Sequence, residues 1–288
     1  MEEPLVSVVI PVFNRAHTLH RAIDSVKAQD FDAWELIVVD DGSTDQSDAI
    51  PASYGDARIR VLRHATNRGA AAARNSGVEA ARGRFIAFLD SDDEWLPGKL
   101  SAQVAAVDAP NAPDALCTGF VLHRERTGQT SERWPRADGS WFETILDGCY
   151  VSPGSTLMVR RDCFTMVGPL DESLPRLEDW DWLLRFMERF TFDCVPVLGA
   201  VVHVSTPARS EAVAAAIDRL QALHADRVLR VAGPAGLRRF QASLAIEQAV
   251  AAVHEQLYSG AFAHMARAFG LSPRRAARFL ARATVRTR

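Results

Sequence analysis

No stretch of this 288-residue chain approaches the ~20 consecutive apolar residues of a membrane span, which argues against a helical transmembrane protein. The opening residues Met1-Glu2-Glu3-Pro4 are acidic and lack the basic-then-apolar layout of a secretory signal. Cysteine is scarce. Cys117, Cys149, Cys163 and Cys194 show no CxxC spacing, which excludes a metal finger, and they read as buried thiols in a reducing compartment. No GxGxxG follows the first apolar run, so a nicotinamide site is not expected, and the absence of GxxxxGK[ST] excludes a P-loop. A net charge of −3 gives no general affinity for nucleic acid. The chain also lacks internal repeats and low-complexity linkers. From these absences a cytoplasmic protein is expected, with peripheral contact at the inner face of the membrane left open.

A hydrophobic content of 48% over this length suits one large α/β domain with a helical appendage. The first hundred residues alternate short β-branched runs with helical patterns. Strands are expected at Leu5–Ile10, ending at Pro11, and at Glu35–Val39, Ile59–Leu62 and Arg84–Leu89. Helices are expected over 16–29 and 69–81. Continuous apolar runs separated by helices imply a mostly parallel sheet covered on both faces. Ligands then bind beyond the carboxyl ends of the strands. Further strands are expected at Ala115–Val121, Ser155–Val159 and Phe192–Leu198. From Pro207 onward the chain reads as helical, punctuated by Gly233-Pro234 and Ser272-Pro273.

Asp90-Ser91-Asp92-Asp93 ends the fourth strand. Carboxylates this dense repel one another unless a positive charge is held there. A hard cation, Mg²⁺ or Mn²⁺, usually shares such a site with substrate phosphates; a solvated acidic turn is the plain alternative. Asp40-Asp41-Gly42-Ser43 follows the second strand, where a carboxylate could accept from a ribose hydroxyl or a base N–H. Capping explains Ser43 or Thr44 but not the paired acids. Residues 67–77 open a helix with small side chains, open to phosphate, with Arg74 just over a turn in; tight helix–sheet packing explains the alanines equally. Glu178-Asp179-Trp180-Asp181 starts another helix whose apolar face is Trp180, Leu183, Leu184 and Met187. Its acids either complement the helix dipole or supply a general base beside an aromatic ring. His203 reads first as a core histidine, and as a third metal ligand if its strand reaches the crevice.

These stretches resemble the family 2 glycosyltransferases, over roughly residues 4–205. The matching segments are Val8–Asn14, Val39–Asp45, Asn67-Arg68-Gly69 with Arg74-Asn75 and Gly77, Phe88–Asp93, and Gly168–Glu172 leading to Glu178–Asp181. The resemblance implies a GT-A, Rossmann-like α/β fold, a nucleotide-sugar donor, a divalent metal and inversion at the anomeric carbon. Residues 1–206 would form the catalytic domain, with 1–110 the nucleotide half and 111–206 the acceptor half, and 207–288 a helical extension. By position, Asp41 contacts uracil, Asp90, Asp92 and Asp93 form the ribose and metal site, and Asp179 is the base. Pro11, Phe13, Asn14, Asp40, Asp41, Arg68, Arg74, Asp90 and Ser91 are the donor-site candidates. Asp92, Asp93 and His203 are the metal candidates. Glu178, Trp180 and Trp95 are candidates for supporting or acceptor-contacting roles.

The QxxRW element of processive synthases is missing, since no Trp follows Trp182. A single sugar, from a UDP-sugar in the first place, would pass to a hydroxyl of a glycan or lipid-linked acceptor. Two other readings compete: a nucleotide-sugar-binding module that has lost the reaction, and a sugar-nucleotide nucleotidyltransferase. The second would need a Gly-rich loop where Pro11–Asn14 stands. The last 28 residues hold seven Arg and no acid, leaving −10 on residues 1–260. Arg274, Arg278 and Arg282 recur at i, i+4 and i+8, so this segment suits either an anionic membrane or the acidic body of the protein.

Overall fold

A computed structural model describes residues 3–137, 139–151, 153–204 and 210–284. The chain divides into two compact units. One comprises Met1–Arg136, Val151–Glu172 and Arg185–Ser205. The other comprises Ala137–Tyr150, Ser173–Leu184 and Thr206–Arg288. The helical unit thus includes two stretches from within the first 206 residues.

In chain order the elements are β1 (Val6–Val12), α1 (Ala16–Lys27), β2 (Trp34–Asp40), β3 (Ile59–Arg63), α2 (Ala70–Ala80), β4 (Phe85–Phe88), β5 (Glu94–Trp95) and α3 (Lys99–Val107). They continue as β6 (Ala115–Arg124), β7 (Gln129–Arg133), α4 (Trp141–Ile145), α5 (Pro153–Thr156), β8 (Met158–Arg160), α6 (Asp162–Val167), α7 (Glu178–Phe186) and β9 (Phe192–Val204). The last three are α8 (Ser210–His254), α9 (Tyr258–Leu271) and α10 (Pro273–Thr284).

Among the described residues the strands form one mixed sheet in the order β3-β2-β1-β4-β8-β6-β9-β5, with β7 on β6. The first four run parallel, so β1, β2 and β4 end on one edge. Both faces are covered, as the unbroken apolar runs require. Val6, Val8, Ile10 and Val12 pack with Leu19, Ile23 and Val26 of α1 and Leu100 and Val104 of α3. Val9, on the opposite face, meets Gly77 of α2 so closely that any Cβ there would overlap it.

Several strand boundaries differ from expectation: β6 and β9 run on to Arg124 and Val204, and two others have a local cause. β1 runs through Pro11 to Val12. Val9 O faces β4 and Val12 O faces β2, so Pro11 faces the β4 side. The β1–β4 ladder has ended there, at Val9↔Phe88, and the missing N–H costs no ladder bond. The strand expected from Ser155 begins only at Met158, because 153–156 form a helical turn. Cys117 and Cys163 are buried, but Cys149 and Cys194 are half-exposed, Cys149 because it lies in a loop outside the regular elements.

The helical unit has its own core of Ala242, Ala245, Ile246, Ala268 and Ala276. Gly233, at φ 67°, breaks α8 before Pro234, and Ser272-Pro273 separates α9 from α10. Pro207 lies outside the described residues. Arg275 is buried: Nε donates to Ser243 Oγ at 3.1 Å, and Nη2 donates to Asp147 O and Tyr150 Oη.

Candidate active site

The loops after β1 and β2 are knitted together at the polar edge of the sheet. Asn14 N donates to Ser43 Oγ at 2.9 Å, and Asn14 Oδ1 accepts from Thr44 N at 2.9 Å. Asn14 sits at φ 50°, a left-handed conformation that asparagine tolerates. Gly42, at φ 77°, lies so near Thr66 that a Cβ would be 2.9 Å from its carbonyl carbon. Phe13 stands 44% exposed beside this turn, an apolar ring free to pack on a planar ligand. Pro11 lies below it in the sheet.

The two aspartates after β2 have turned inward. Asp40 is fully buried; Oδ1 accepts from Ser43 N at 3.1 Å, and Arg63 Nε lies 3.3 Å from Oδ2. It stabilises the turn and offers no oxygen to solvent. Asp41 accepts from Arg68 N at 2.9 and 3.0 Å, from Gly69 N at 2.7 Å, and lies 2.7 Å from His64 Nδ1. A carboxylate has about four acceptor sites, so Asp41 is close to saturated and pins the start of α2. His64 Nε2 continues the chain to Ser76 Oγ at 2.9 Å.

The acidic strand end is partly neutralised by arginines. Arg74 Nη2 pairs with Asp90 Oδ1 at 2.6 Å, and Arg15 Nη2 lies 3.6 Å from Asp92 Oδ2. Arg21 donates to the Asp92 carbonyl. Ser91 is buried. Ser155 Oγ accepts from Asp90 N at 3.2 Å and donates to Asp93 Oδ2, so one hydroxyl braces both ends of the acidic turn. Burial, and then the charge of Asp90, push the carboxyls of Asp92 and Asp93 above the usual range. Arg68 reaches away, to Glu172 at 3.1 Å.

The set Asp92, Asp93 and His203 is not assembled as a three-ligand centre. Among the described residues no group of three or more His, Cys, Asp or Glu side chains is arranged to hold a metal ion. Asp93 Oδ1 accepts from His203 N at 2.8 Å and Oδ2 from Ser155, which turns the carboxylate inward. The His203 ring lies between Glu94 Oε1 at 3.3 Å and Glu125 Oε1 at 3.6 Å. Asp92 remains, with a side chain 28% exposed and its negative charge incompletely balanced. One outward carboxylate beside another, Asp90, fits Mg²⁺ or Mn²⁺, which keep water and take phosphate oxygens rather than a full protein cage.

In the helical unit, Glu178 and Asp179 open α7 in half-buried positions. Asp179 Oδ1 accepts from Trp180 N at 2.7 Å, and Cys149 Sγ lies 3.9 Å from Oδ2. Trp180 is buried and donates Nε1–H to Ile145 O at 2.8 Å. Trp182, which helical periodicity leaves off the apolar face, is buried as well. Trp95, in the sheet unit, is also buried and donates to Ser155 O at 2.8 Å. Both Trp180 and Trp95 therefore support the framework and present no face to an acceptor. His64, Ser155, Arg15 and Arg21 escape a reading of the sequence, because each acts through partners 12 to 77 positions away.

A doubly covered sheet that ends in an acidic turn on the edge shared by β1, β2 and β4 is a fold of GT-A type. The model of the family "Glycosyl transferase family 2" matches residues 7–165, more than half of the chain, and the chain belongs to that family. The "Putative colanic acid biosynthesis glycosyl transferase WcaA" of Escherichia coli is 41% identical over 65% of this chain and 67% of its own. The E. coli UDP-Glc:alpha-D-GlcNAc-diphosphoundecaprenol beta-1,3-glucosyltransferase WfgD is 44% identical over 36% of this chain, a match spanning 42% of that protein's length. The Staphylococcus aureus TarS 1–349 complex with UDP-GlcNAc shares the fold at a TM-score of 0.61 and 17% identity, over 90% of this chain and 88% of its own. The Pyrobaculum calidifontis mannosyltransferase PcManGT, in complex with GDP-Man and Mn²⁺, aligns at 0.56 and 19% identity, over 95% and 89%.

Proposed function

We propose that this chain is an inverting, non-processive glycosyltransferase that moves one sugar from a UDP-sugar to a hydroxyl acceptor in surface glycan or glycolipid synthesis. The observation that carries the reading is the acidic strand end, where Asp90, Asp92 and Asp93 crowd within four residues and the Asp92 side chain stays 28% exposed, 3.6 Å from Arg15. Such a turn is relieved by a cation arriving with a diphosphate. Asp92, with Asp90, would hold Mg²⁺ or Mn²⁺, which when bound neutralises charge on the leaving diphosphate. Asp93 braces the turn from inside. Phe13, Asn14 and Arg74 line the donor edge, and Asp41 shapes it through Arg68 and Gly69. Asp179 accepts the proton of the acceptor hydroxyl.

WfgD, by name, uses UDP-Glc and a diphosphoundecaprenol-linked acceptor, which supports a UDP-sugar and a lipid-linked acceptor here. No helix among the described residues is long and apolar enough to cross a membrane. Contact with an anionic surface would fall to the exposed Arg274 and Arg278 of α10 and to Tyr258 and Phe262 of α9, which are 66% and 77% exposed. Ala276 and Phe279 of α10 are already spent on the helical core, while Leu280 stays 40% exposed.

Calorimetry tests the reading. UDP should bind only with Mn²⁺ or Mg²⁺, and Asp92→Ala should abolish that dependence with the fold intact. Asp179→Asn should retain UDP binding and lower turnover by ~10²-fold or more. Metal-independent UDP binding, or near-native turnover in Asp179→Asn, refutes the assignment.

A further inference from the structure

The first turn of α7 is held by an unusual set of constraints, all within the helical unit. Leu177, just before Glu178, lies at φ 64°, a left-handed conformation that a leucine adopts only under constraint. Its carbonyl accepts the first helical bond, from Asp181 N at 3.0 Å. Trp180 is locked on one side by Ile145 O and on the other by an edge-on contact with Phe240 of α8 at 5.5 Å.

Asp181 is buried, and its Oδ1 lies 2.8 Å from Nε2 of His224, a fully buried residue of α8. Nδ1 of the same imidazole lies 2.8 Å from Arg227 Nη1, one turn further along α8. A guanidinium can only donate. Nδ1 therefore accepts, the ring proton sits on Nε2, and His224 donates to Asp181. The chain Arg227–His224–Asp181 carries positive charge towards a buried carboxylate through a neutral ring in one fixed tautomer. None of this is needed to end a helix or to fill a core, where an apolar pair would do as well.

We propose that His224 is a positioning residue for the transfer step. Oriented by Arg227, it fixes Asp181 and with it the strained first turn of α7 that carries Asp179. The inference rests on the reading of Asp179 as the base. It gives the helical C-terminal segment a defined role, in which α8 supplies His224, Arg227 and Phe240 to hold the turn at a geometry that Leu177 would otherwise relax. A misplacement of about 1 Å in a catalytic group costs on the order of 10²-fold in rate.

The test compares His224→Leu, His224→Gln, Asp181→Asn and Asp179→Asn in the full chain. Mn²⁺-dependent UDP release is measured from UDP-glucose and UDP-N-acetylglucosamine, and UDP binding by calorimetry. His224→Leu should lower kcat ~10- to 100-fold. KM for the donor and UDP affinity should stay within about twofold. His224→Gln, which keeps an N–H for Asp181, should recover most of the rate. A donor-independent reading is the rate at which iodoacetamide labels Cys149, next to Asp179, followed by peptide mass spectrometry. It should change in His224→Leu and not in His224→Gln.

Wild-type kcat and unchanged Cys149 labelling in His224→Leu overturn the proposal, as does a fall in kcat matched by an equal loss of UDP binding. If His224→Leu does not fold, Asp181→Asn decides, and wild-type kcat there overturns it. Near-native turnover in Asp179→Asn removes the base assignment itself. An inactive Asp179→Asn beside a fully active His224→Leu removes only this inference.

Discussion

Replacing Gly154 by alanine is a sharp probe of the acidic strand end. The backbone of Gly154 passes directly over the Asp90 carboxylate, and an added Cβ would lie 2.6 Å from Asp90 Cγ and 2.7 Å from Oδ1. Real Cβ contacts are not that short, so one partner has to move. Gly154 sits in the short turn that also supplies Ser155, which is held by Asp90 N, Asp93 and Trp95 Nε1. The turn is therefore the stiffer partner, and Asp90 is displaced. Its 2.6 Å ion pair with Arg74 is then lost, leaving a guanidinium only 11% exposed without that carboxylate. Loss of a charge-assisted bond at a partly buried site costs about 1.5–3 kcal/mol. Melting reads that cost directly, and displacing Asp90 should also weaken Mn²⁺-dependent binding of UDP, by about tenfold or more. Titration calorimetry of UDP against wild type and Gly154→Ala, with thermal melting alongside, reads both effects. Gly260→Ala, where a Cβ meets nothing within 4 Å, serves as a neutral control. Wild-type UDP affinity in Gly154→Ala would refute the reasoning, because Asp90 would then have no part in donor binding.

Glu35 is the buried acceptor of Ser7 Oγ at 2.7 Å, Arg82 N at 2.7 Å, Arg60 Nη2 at 2.8 Å and Arg82 Nε at 2.9 Å. Burial pushes its carboxyl up, but the hydrogen bonds from Ser7, Arg82 and Arg60 outweigh that and hold it below its usual range. Glu35→Gln should cost about 2–3 kcal/mol, or ~5–10 °C in melting temperature. A lowered folded-state value means this stability is present above the unfolded pKa and lost as pH falls through the folded one, so wild type and variant should converge in acid. Parallel pH profiles would count against it. Asp92 and Asp93 carry the opposite sign: with folded values raised, the metal-free fold loses their contribution as pH rises from the ordinary 3.8 through the raised values. Mn²⁺ should therefore stabilise the chain increasingly over that window and release protons on binding; a metal-induced melting shift independent of pH would contradict this. The double variant Arg274→Ser, Arg278→Ser should weaken sedimentation with phosphatidylglycerol vesicles by about 2 kcal/mol, some 30-fold. Both substitutions leave Arg275 and Ala276, which belong to the helical core, in place; unchanged sedimentation would leave α10 as a purely structural helix.

The periodic features of this fold were legible along the chain. Unbroken β-branched runs announced strands buried on both faces, and the punctuating residues Gly233-Pro234 and Ser272-Pro273 marked helix breaks that the structure contains. The acidic turn at Asp90–Asp93 and the acidic start of α7 were legible as well, because several like charges within four residues form a local pattern that needs no neighbour to be noticed. What each carboxylate does was decided only in three dimensions. Asp40, Asp41 and Asp93 look equivalent to Asp92 in one dimension. Yet Ser43, the amides of Arg68 and Gly69, Ser155 and the amide of His203 draw the first three inward. Hydrogen-bond satisfaction depends on donors brought from distant positions, and a local pattern holds no record of them. The same applies to Trp95 and Trp180, whose indoles vanish into the framework, and to His224. Its meaning comes entirely from Asp181, 43 residues away. Hydrophobic periodicity fixes where elements form, since each element must bury its own face; the partners of buried polar groups are fixed by how those elements pack.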